Sequence, residues 1–473
     1  MQVAPAGDQA VLINLGEVSG EELHAAARAV SALREVQACI VGHSSLYVIF
    51  DEPVAESPSR RVAEVMAGVD ESPSRRVAEV IEAFSSSSAT GRLDDRATGR
   101  LDDSITRTVR VNFANAPDLP EFLARTQLTL DAFLARVATL RLTARYLGFR
   151  GGFAYLDGWP EEWAMPRRAT SRPVARGSFA IAGSVAGFYP IDTPGGWNVL
   201  GRTEEDLENA LMAGDRIAIE PSVTPNESGT VRRPRAAVAT QRLAELVEIV
   251  SAPLMTIVRD PDYALLARGA PAGGPFDDLA AALARRAVER CEVLLECAMT
   301  GPRLRFREDA VVAWCGPDLS VRFYQPRAGE EVAIGRITGG LRGYLAIGHG
   351  ERVVAHIERG DRHVIRALAG PHDVGLREVE CEVTPQLDRV GVRLRPLVAL
   401  NIEIPADLRS CGMQCGTVQL HPDGSLVAMG PDHPVTGGYL QPMTVITSER
   451  WKLGQLAPGE NVTFLVTVPP SCW

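Results

Sequence analysis

The chain has 473 residues, of which 45% are hydrophobic and 23% charged, and its net charge is −10. This length predicts about two to four domains, and the composition is ordinary for a globular protein. The negative charge argues against a general nucleic-acid binder, and no apolar run approaches the roughly 20 residues that cross a bilayer.

Eight cysteines are scattered along the chain, and only Cys411 and Cys415 lie close together in sequence. Because no second pair or histidine cluster stands at ligand spacing, we expect no metal site. The N-terminus has no cationic start followed by an apolar core, so we expect no signal peptide. These features predict a cytoplasmic protein with reduced thiols that binds neither nucleic acid nor membranes.

Residues 1–85 predict a small α+β unit. The segments QAVLINLG and CIVGHSSLYVIFDE are typical of strands, and EELHAAARAVSALREV between them is typical of an amphipathic helix. A strand, a helix and an adjacent strand imply a ferredoxin-like or split βαβ arrangement.

Two perfect short repeats follow. ESPSRRVAEV occupies residues 56–65 and 71–80, and ATGRLDD occupies residues 89–95 and 97–103. A solenoid needs repeats of about 20–50 residues with a shared apolar face, so we interpret these segments as local duplications. Residues 86–104 are predicted to be a flexible linker without a catalytic role.

Residues 105–235 predict a second domain, with a strand and a helical segment before a long stretch rich in glycine and proline. This stretch, Tyr146–Thr203, is unsuited to a helix and favours short β segments joined by turns. Its arginines could bind an anion, and its glycines let backbone N–H groups approach a ligand. An ordinary β core with turns explains the same composition equally well.

Residues 252–473 contain many short strand patterns separated by glycine and proline, which predicts a barrel or sandwich. The chain as a whole is therefore predicted to be α+β and mainly β.

Tyr146–Thr203 resembles the core of allophanate hydrolase subunit 1. It keeps that family's Pro-Arg-Arg-Ala-Thr at 166–170, its Pro-Gly-Gly-Trp at 194–197 and its Gly-Arg-Thr at 201–203, and Phe149 also fits the pattern. The C-terminal half resembles subunit 2, the biotin-dependent carboxyltransferase-like family, at Glu296 and at the motifs that begin at Asp388 and Thr436. The resemblance implies cyclophilin-like β-barrels in both halves, 105–235 and 252–473.

The same resemblance implies a function. The paired subunits are the B and C components of bacterial ATP-dependent 5-oxoprolinase, which opens a cyclic amide to glutamate with a third subunit. It therefore implies a small amide or carboxylate substrate, a partner subunit of the 5-oxoprolinase type, and ATP used through that partner. We expect no cofactor on the chain itself, since its single lysine, Lys452, lacks a biotinyl-lysine context.

Such a reaction needs cations for the substrate anion and a titratable group for proton transfer. The predicted substrate-binding residues are cationic or aromatic: Arg167, Arg168, Tyr189, Trp197, Arg202, Arg389 and Tyr439. The predicted catalytic residues are Asp388, Asp432 and His433. Each of these residues could instead have only a structural role. Arginines beside loops often pair with aspartate, and Asp388 and Arg389 could form a stabilising pair. A lone histidine in a loop, such as His433, is often solvated.

Departures from the family pattern leave three functions open. The family's proline before Gly-Phe is Gly151 here, and its glutamine after the Ile-Ala-Gly run is Val185. Because the scaffold is kept while polar groups are replaced, the reaction itself could differ. The alternatives are an ATP-dependent amidohydrolase component, a scaffold repurposed for biosynthetic cyclisation or acyl transfer, and a non-catalytic regulatory protein like the kinase-inhibitor relatives.

Overall fold

A computed structural model describes most of the chain. The described residues are 2–31, 36–50, 106–148, 151–208, 210–224, 238–251, 253–352, 360–405 and 408–467. The predicted linker at 86–104, both pairs of short repeats and Phe149 lie outside these ranges.

The N-terminal unit is a four-stranded antiparallel sheet with one helix. Its elements are β1 (Gln2–Pro5), β2 (Ala10–Asn14), α1 (Gly20–Ser31), β3 (Val36–Val41) and β4 (Ser45–Phe50). The strand order is β1-β2-β4-β3, so β4 lies between β2 and β3 and the predicted split βαβ arrangement is confirmed. The segment expected to be one strand is the hairpin β3–β4. Its chain reverses at the turn closed by the Gly42 N–H bond to the carbonyl of Ser45.

Helix α1 begins at a reciprocal cap. The Glu22 backbone N–H donates to the Ser19 hydroxyl at 3.2 Å, and the Ser19 N–H donates to the Glu22 carboxylate at 2.9 Å. Its apolar face is buried against the sheet through Leu23, Ala27 and Val30. The sequence pattern thus places one amphipathic helix on one face of the sheet.

The first barrel follows. Its elements are β5 (Thr106–Asn112), α2 (Leu119–Thr126), α3 (Leu130–Val137), β6 (Arg141–Leu147), β7 (Ala154–Asp157), β8 (Arg172–Val174), β9 (Ser178–Ala182), β10 (Val185–Phe188), β11 (Thr193–Gly195), β12 (Asn198–Arg202) and β13 (Arg216–Ser222). Seven strands close in the order β10-β7-β6-β13-β5-β12-β9, and β8 pairs with β11 as a separate ribbon. Aromatic side chains fill the core, where the Phe113 and Phe133 rings lie 5.1 Å apart, edge to face.

Two open sheets begin the second half. Their elements are α4 (Val238–Leu246), β14 (Val247–Ser251), β15 (Leu254–Ile257), α5 (Asp278–Arg286), β16 (Val288–Ala298), β17 (Thr300–Phe306), β18 (Val311–Cys315), β19 (Val321–Tyr324), β20 (Glu331–Arg336) and β21 (Arg342–Arg352). One sheet has the order β14-β17-β20 and the other the order β15-β16-β21-β18-β19. A 3-10 helix at Tyr263–Arg268 precedes α5, which packs its buried Ala280, Leu283 and Ala284 on the larger sheet.

The second barrel completes the described chain. Its elements are β22 (Val364–Ala369), β23 (Glu378–Leu387), β24 (Gly391–Pro396), β25 (Cys411–Gly412), β26 (Thr417–Leu420), β27 (Leu426–Met429), β28 (Thr436–Gly437), β29 (Leu440–Val445), α6 (Arg450–Gln455) and β30 (Asn461–Thr467). Seven strands close in the order β22-β29-β26-β27-β24-β23-β30, and β25 pairs with β28 as a ribbon.

The two barrels have the same topology. Each strand of the second barrel has a counterpart at the same place in the first barrel. In chain order, β22, β23, β24, β26, β27, β29 and β30 correspond to β5, β6, β7, β9, β10, β12 and β13. In each barrel the first and last strands pair in parallel while the other pairs are antiparallel. The predicted fold class, α+β and mainly β with a cyclophilin-like barrel in each half, is confirmed. The proposed domain boundaries at 1–85, 86–104, 105–235 and 252–473 stay predictions.

Direct contacts join the two halves. The Gln414 side-chain amide donates to the carbonyl of Ala6 at 2.9 Å, and the Thr436 hydroxyl donates to the carbonyl of Leu147 at 3.1 Å. At Gly148 the approach is so close that a Cβ would lie 1.6 Å from the Thr436 hydroxyl oxygen. Among the described residues, no helix has the length and apolar character needed to span a bilayer.

Candidate functional site

Five aromatic rings pack against one another on the outside of the first barrel strands, where four of them are buried and Tyr155 is partly buried. We call this set the aromatic wall: Phe153, Tyr155, Tyr189, Trp197 and Tyr146. Because successive side chains of β7 alternate between its two faces, Ala154 and Leu156 fill the barrel while Tyr155 points outward. The Phe153 ring lies 5.2 Å from both Tyr189 and Trp197, and Tyr155 stacks on Tyr146 at 4.3 Å.

The glycines of the Pro-Gly-Gly-Trp motif allow this packing. A Cβ at Gly195 would lie only 2.2 Å from the Tyr189 hydroxyl oxygen, so any larger residue would displace that ring. The buried Tyr189 hydroxyl also hydrogen-bonds to the Trp197 backbone. The motif therefore fixes two predicted substrate-binding residues, Tyr189 and Trp197, in one wall.

Arg168 is held in an ion-pair cluster. Its guanidinium lies 2.9 Å from the carboxylate of Asp118, which is buried at 3% exposure, and Arg172 pairs with the other oxygen of the same carboxylate. Asp118 also accepts the Val199 N–H at 2.6 Å. This cluster links the β8–β11 ribbon to the start of α2. Arg168 thus forms the kind of ion pair with aspartate that we considered as the alternative to substrate binding.

Arg167, by contrast, is exposed and has no carboxylate partner among the residues that the structure describes. A Cβ at Gly196 would lie 3.9 Å from the Arg167 Nη2, so the guanidinium lies beside the Pro-Gly-Gly-Trp turn. Burial raises the pKa of Tyr155 and of Tyr189, and the positive charge of Arg167 opposes that rise. Arg202 lies at the end of β12, about half exposed, with its Nε 3.8 Å from Glu204. Of these three arginines of the first barrel, Arg167 is the one at the wall without a carboxylate partner among the described residues.

The aromatic wall reaches the second half of the chain at Tyr146. Burial raises the pKa of Tyr146 to about 12, and a hydrogen bond with Ser410 opposes this. The ring of His43 meets Tyr146 edge-on at 6.1 Å. Sequence reasoning missed Tyr146, Tyr155 and Ser410 as site residues. The alternation Phe-Ala-Tyr-Leu-Asp could have identified Tyr155 as outward-facing.

Arg389 lies elsewhere, in a buried network that joins the larger open sheet to the second barrel. Its guanidinium lies 2.8 Å from Glu296 and 2.7 Å from Asp432, and it donates to the carbonyl of Gly274 at 2.7 Å. Glu296 also accepts the Tyr344 hydroxyl at 2.7 Å. Burial alone would raise the pKa of Glu296, but the charges of Arg389 and Arg342 hold it below its ordinary value.

Asp388 does not pair with Arg389. Its carboxylate accepts the backbone N–H groups of Val390 at 2.7 Å and of Gly391 at 3.2 Å, so it caps the turn between β23 and β24. In place of the stabilising pair considered for these two residues, Asp388 accepts backbone N–H groups and Arg389 pairs with Asp432.

His433 is buried at 3% exposure, unlike the solvated loop histidine considered as its alternative. Its Nδ1 lies 2.8 Å from the carbonyl oxygen of Pro434, and burial lowers the pKa of the imidazole to about 4. Tyr439, at 40% exposure, stacks on His421 at 4.2 Å on the outside of the second barrel. Tyr439 takes the topological place that Trp197 holds in the first barrel.

The predicted residues therefore fall into separate groups. Arg167, Tyr189 and Trp197 come together at the aromatic wall, whereas the three predicted catalytic residues lie with the second barrel. Within the described ranges, no three histidine, cysteine or acidic side chains meet in a way that could hold a metal ion. The seven cysteines described are free thiols.

Comparison with known families matches both halves. Residues 1–213 match the model described as carboxyltransferase domain, subdomain C and D. Residues 268–358 and 354–466 match the model described as carboxyltransferase domain, subdomain A and B. Together these matches span well over half of the chain.

Individual relatives give the same division. The B component of the Bacillus subtilis 5-oxoprolinase is 28% identical over 232 residues, 46% of this chain and 90% of that protein. The C component of the Haemophilus influenzae 5-oxoprolinase is 23% identical over 228 residues, 36% of this chain and 74% of that protein. A putative urea carboxylase of Emericella nidulans is 24% identical over 299 residues, 47% of this chain but 24% of that protein.

A solved structure shares the whole fold. The crystal structure of TTHA0988 superposes with a TM-score of 0.72 at 22% identity, covering 97% of this chain and 99% of that one. The chain belongs to the carboxyltransferase-domain family, with subdomains C and D in its first half and subdomains A and B in its second.

Proposed function

We propose that this chain is a fused counterpart of the B and C components of 5-oxoprolinase, acting on a small cyclic amide that carries a carboxylate. Relatives of both components match within one chain, over 90% of the B component and 74% of the C component. The observation that carries the proposal is that the exposed guanidinium of Arg167, beside the aromatic wall, has no carboxylate partner among the described residues.

The wall supplies what such a substrate requires. Arg167 binds the carboxylate, because a planar guanidinium matches its two oxygens, while the partly exposed ring of Tyr155 packs against the apolar part of the amide ring. Burial raises the pKa of Tyr155 and Tyr146, so both phenols stay protonated at neutral pH and their hydroxyls can donate to oxygen. Donors of this kind stabilise the negative charge that develops on an attacked carbonyl.

The reaction is the opening of an amide by water. The water oxygen bonds to the carbonyl carbon, the carbon–nitrogen bond breaks, and the nitrogen leaves as an amine after taking a proton. In this proposal a partner subunit of the 5-oxoprolinase type uses the ATP, and this chain binds and orients the amide.

A binding measurement tests the wall directly. Calorimetry of the full chain with 5-oxoproline should show binding that Arg167→Met weakens by at least about tenfold, as for loss of a charge-assisted contact of more than about 1.4 kcal/mol. Arg125→Met, at an exposed arginine of α2, is the matched control and should bind like the native chain. Equal binding by both variants would exclude Arg167 from the site.

The two alternative functions, a biosynthetic enzyme and a regulatory protein, predict different binding properties. A scaffold repurposed for biosynthesis would need a closed apolar pocket lined by Val185. One small cavity between the two halves, of about 10 Å³ and with room for about one water, is lined by residues such as Leu147 and Leu266 rather than by Val185. A regulatory protein would bind a protein partner without binding 5-oxoproline, so the same calorimetry separates it from the enzyme.

A further inference from the structure

Each barrel carries a two-stranded ribbon, and the two ribbons correspond in position. In the first ribbon, Arg172 of β8 lies opposite Gly195 of β11. In the second ribbon, Cys411 of β25 lies opposite Gly437 of β28. In both, the opposed glycine is followed by a second glycine and an aromatic residue, and the strand across from it is preceded by a serine. The serine of the second ribbon is Ser410.

The second ribbon is seated on the N-terminal unit. A Cβ at Gly412 would lie 2.3 Å from the Cβ of Tyr47 on β4, so the ribbon backbone lies directly on that sheet. A Cβ at Gly42, in the β3–β4 turn, would lie 3.0 Å from the carbonyl oxygen of Ser410. The backbone N–H of His43 donates to the same carbonyl at 2.9 Å. These contacts fix the backbone of Ser410 relative to the first half of the chain.

The side chain of Ser410 reaches the end of the aromatic wall. Its hydroxyl is hydrogen-bonded to the phenol of Tyr146, and it lies beside an exposed turn, since a Cβ at Gly438 would lie 3.5 Å from it. Tyr146 is 8% exposed. Its ring lies between that of Tyr155, stacked at 4.3 Å, and that of His43, edge-on at 6.1 Å. The hydroxyl of Ser410 therefore holds the polar end of a ring whose other contacts are only packing contacts.

Tyr146 in turn supports Tyr155, the partly exposed ring against which the substrate is proposed to pack. The two residues are direct cross-strand partners of β6 and β7, next to a register shift that follows Ala144. Because the rings of cross-strand partners are in contact, a displacement of one ring changes the position of the other. The rings of Phe153 and Trp197 meet Tyr155 at 5.0 and 5.7 Å, but neither stacks on it. The stacked contact that orients Tyr155 is thus the one that Ser410 holds in place.

We propose that Ser410 is a positioning residue of the aromatic wall: its hydroxyl fixes Tyr146, and Tyr146 fixes the ring of Tyr155 that receives the substrate. A single hydroxyl of the second half thereby sets the geometry of a surface that belongs to the first barrel. The effect on the substrate rests on the proposed function, whereas the effect on the rings does not.

Acetylation of phenols by N-acetylimidazole tests the effect on the rings in the full chain, without a ligand. Trypsin places Tyr146 and Tyr155 in separate peptides, so mass spectrometry follows each residue. Ser410→Ala should accelerate acetylation of Tyr155 about threefold, because a loosened partner ring lets it open to solvent more often. Ser410→Thr, which keeps a hydroxyl, should restore the native rate. Ser320→Ala, which removes an exposed serine hydroxyl between β18 and β19, is the matched control and should label like the native chain.

Calorimetry with 5-oxoproline tests the effect on the substrate. Ser410→Ala should weaken binding by about three- to tenfold, the range expected for one lost hydrogen bond. In a chain that already carries Tyr146→Phe, the same substitution should change the affinity by less than about twofold, because the hydrogen bond that it removes is already absent. A serine that merely stabilised the ribbon would weaken binding equally in both backgrounds.

The proposal is overturned if Ser410→Ala leaves the acetylation of Tyr155 at the native rate, or if Ser410→Thr labels as fast as Ser410→Ala. It is also overturned if Ser410→Ala weakens binding equally with and without Tyr146→Phe. A native chain that does not bind 5-oxoproline would contradict the proposed function instead, and the acetylation rates alone would then decide the role of Ser410.

Discussion

The imidazole of His433 makes the folded chain sensitive to acid. Its pKa is lowered by burial from the ordinary 6.5 to about 4, so the unfolded chain takes up a proton at a pH where the folded chain does not. The stability due to neutral His433 is therefore complete above pH 6.5 and is lost as the pH falls towards 4. At about 1.4 kcal/mol per pH unit, the loss amounts to about 3 kcal/mol.

We expect His433→Gln to flatten this dependence, because glutamine does not titrate. Urea unfolding at pH 7.5, 6 and 5 gives the free energy of unfolding of both chains. The difference between the native chain and the variant should become smaller as the pH falls. His363→Gln, the same substitution at a partly exposed histidine, is the control for the substitution itself. A variant His433→Gln that loses stability as steeply as the native chain would show that acid acts elsewhere.

At this scale, sequence identifies residue types but not their partners. Arg167 and Arg168 are adjacent and identical, yet one is paired and the other open. The difference arises from Asp118, which stands far away in the chain before α2. Similarly, the stacking of Tyr155 on Tyr146 depends on a register shift between β6 and β7 that no local pattern encodes.

Among the elements, β16 is tied to the second barrel by Glu296 and Arg389. We expect Arg389→Met to reduce the free energy of unfolding by about 3–5 kcal/mol, because it leaves the buried Glu296 carboxylate with too few partners. Arg393→Met, at a residue of β24 whose ion pair with Asp423 is more exposed, should cost about 1 kcal/mol or less. Urea unfolding compares the two, and similar losses would mean that the Glu296 network does not support the fold.

The end of β6 meets β28 at Gly148. A methyl group there would overlap the Thr436 hydroxyl, so Gly148→Ala should loosen the contact between the halves and expose it to protease. Gly360→Ala, where nothing lies within 4 Å of the new Cβ, is the control. We expect limited proteolysis to cleave the Gly148→Ala chain faster than native. Equal cleavage rates would indicate that this junction tolerates the displacement.

At the element scale, the hydrophobic pattern and the turn propensity of glycine and proline predict the strands and turns. The family resemblance predicts the barrels. Neither reveals how the ribbons pack. The Pro-Gly-Gly-Trp turn could be predicted from its glycines, whereas the closeness of Gly195 to Tyr189 depends on tertiary contact.

The whole molecule contains two barrels of one topology with different outer surfaces. The register of each barrel places Arg393 where the first barrel has Tyr155, and Arg393 is neutralised by Asp423 at 3.0 Å. An aromatic wall beside an arginine without an ion-pair partner is thus a feature of the first barrel. The second barrel differs so much in its surface residues that the topology, rather than the sequence, displays the duplication.

The central claim, that the chain works as a fused B and C component of a 5-oxoprolinase, is tested most directly by turnover. The full chain would be combined with the remaining component of a bacterial 5-oxoprolinase, 5-oxoproline and ATP, and the glutamate and ADP released would be measured. We predict equal amounts of both products, dependent on both proteins and greatly reduced by Arg167→Met. The absence of glutamate, with a partner that is active alongside its own B and C components, would contradict the account.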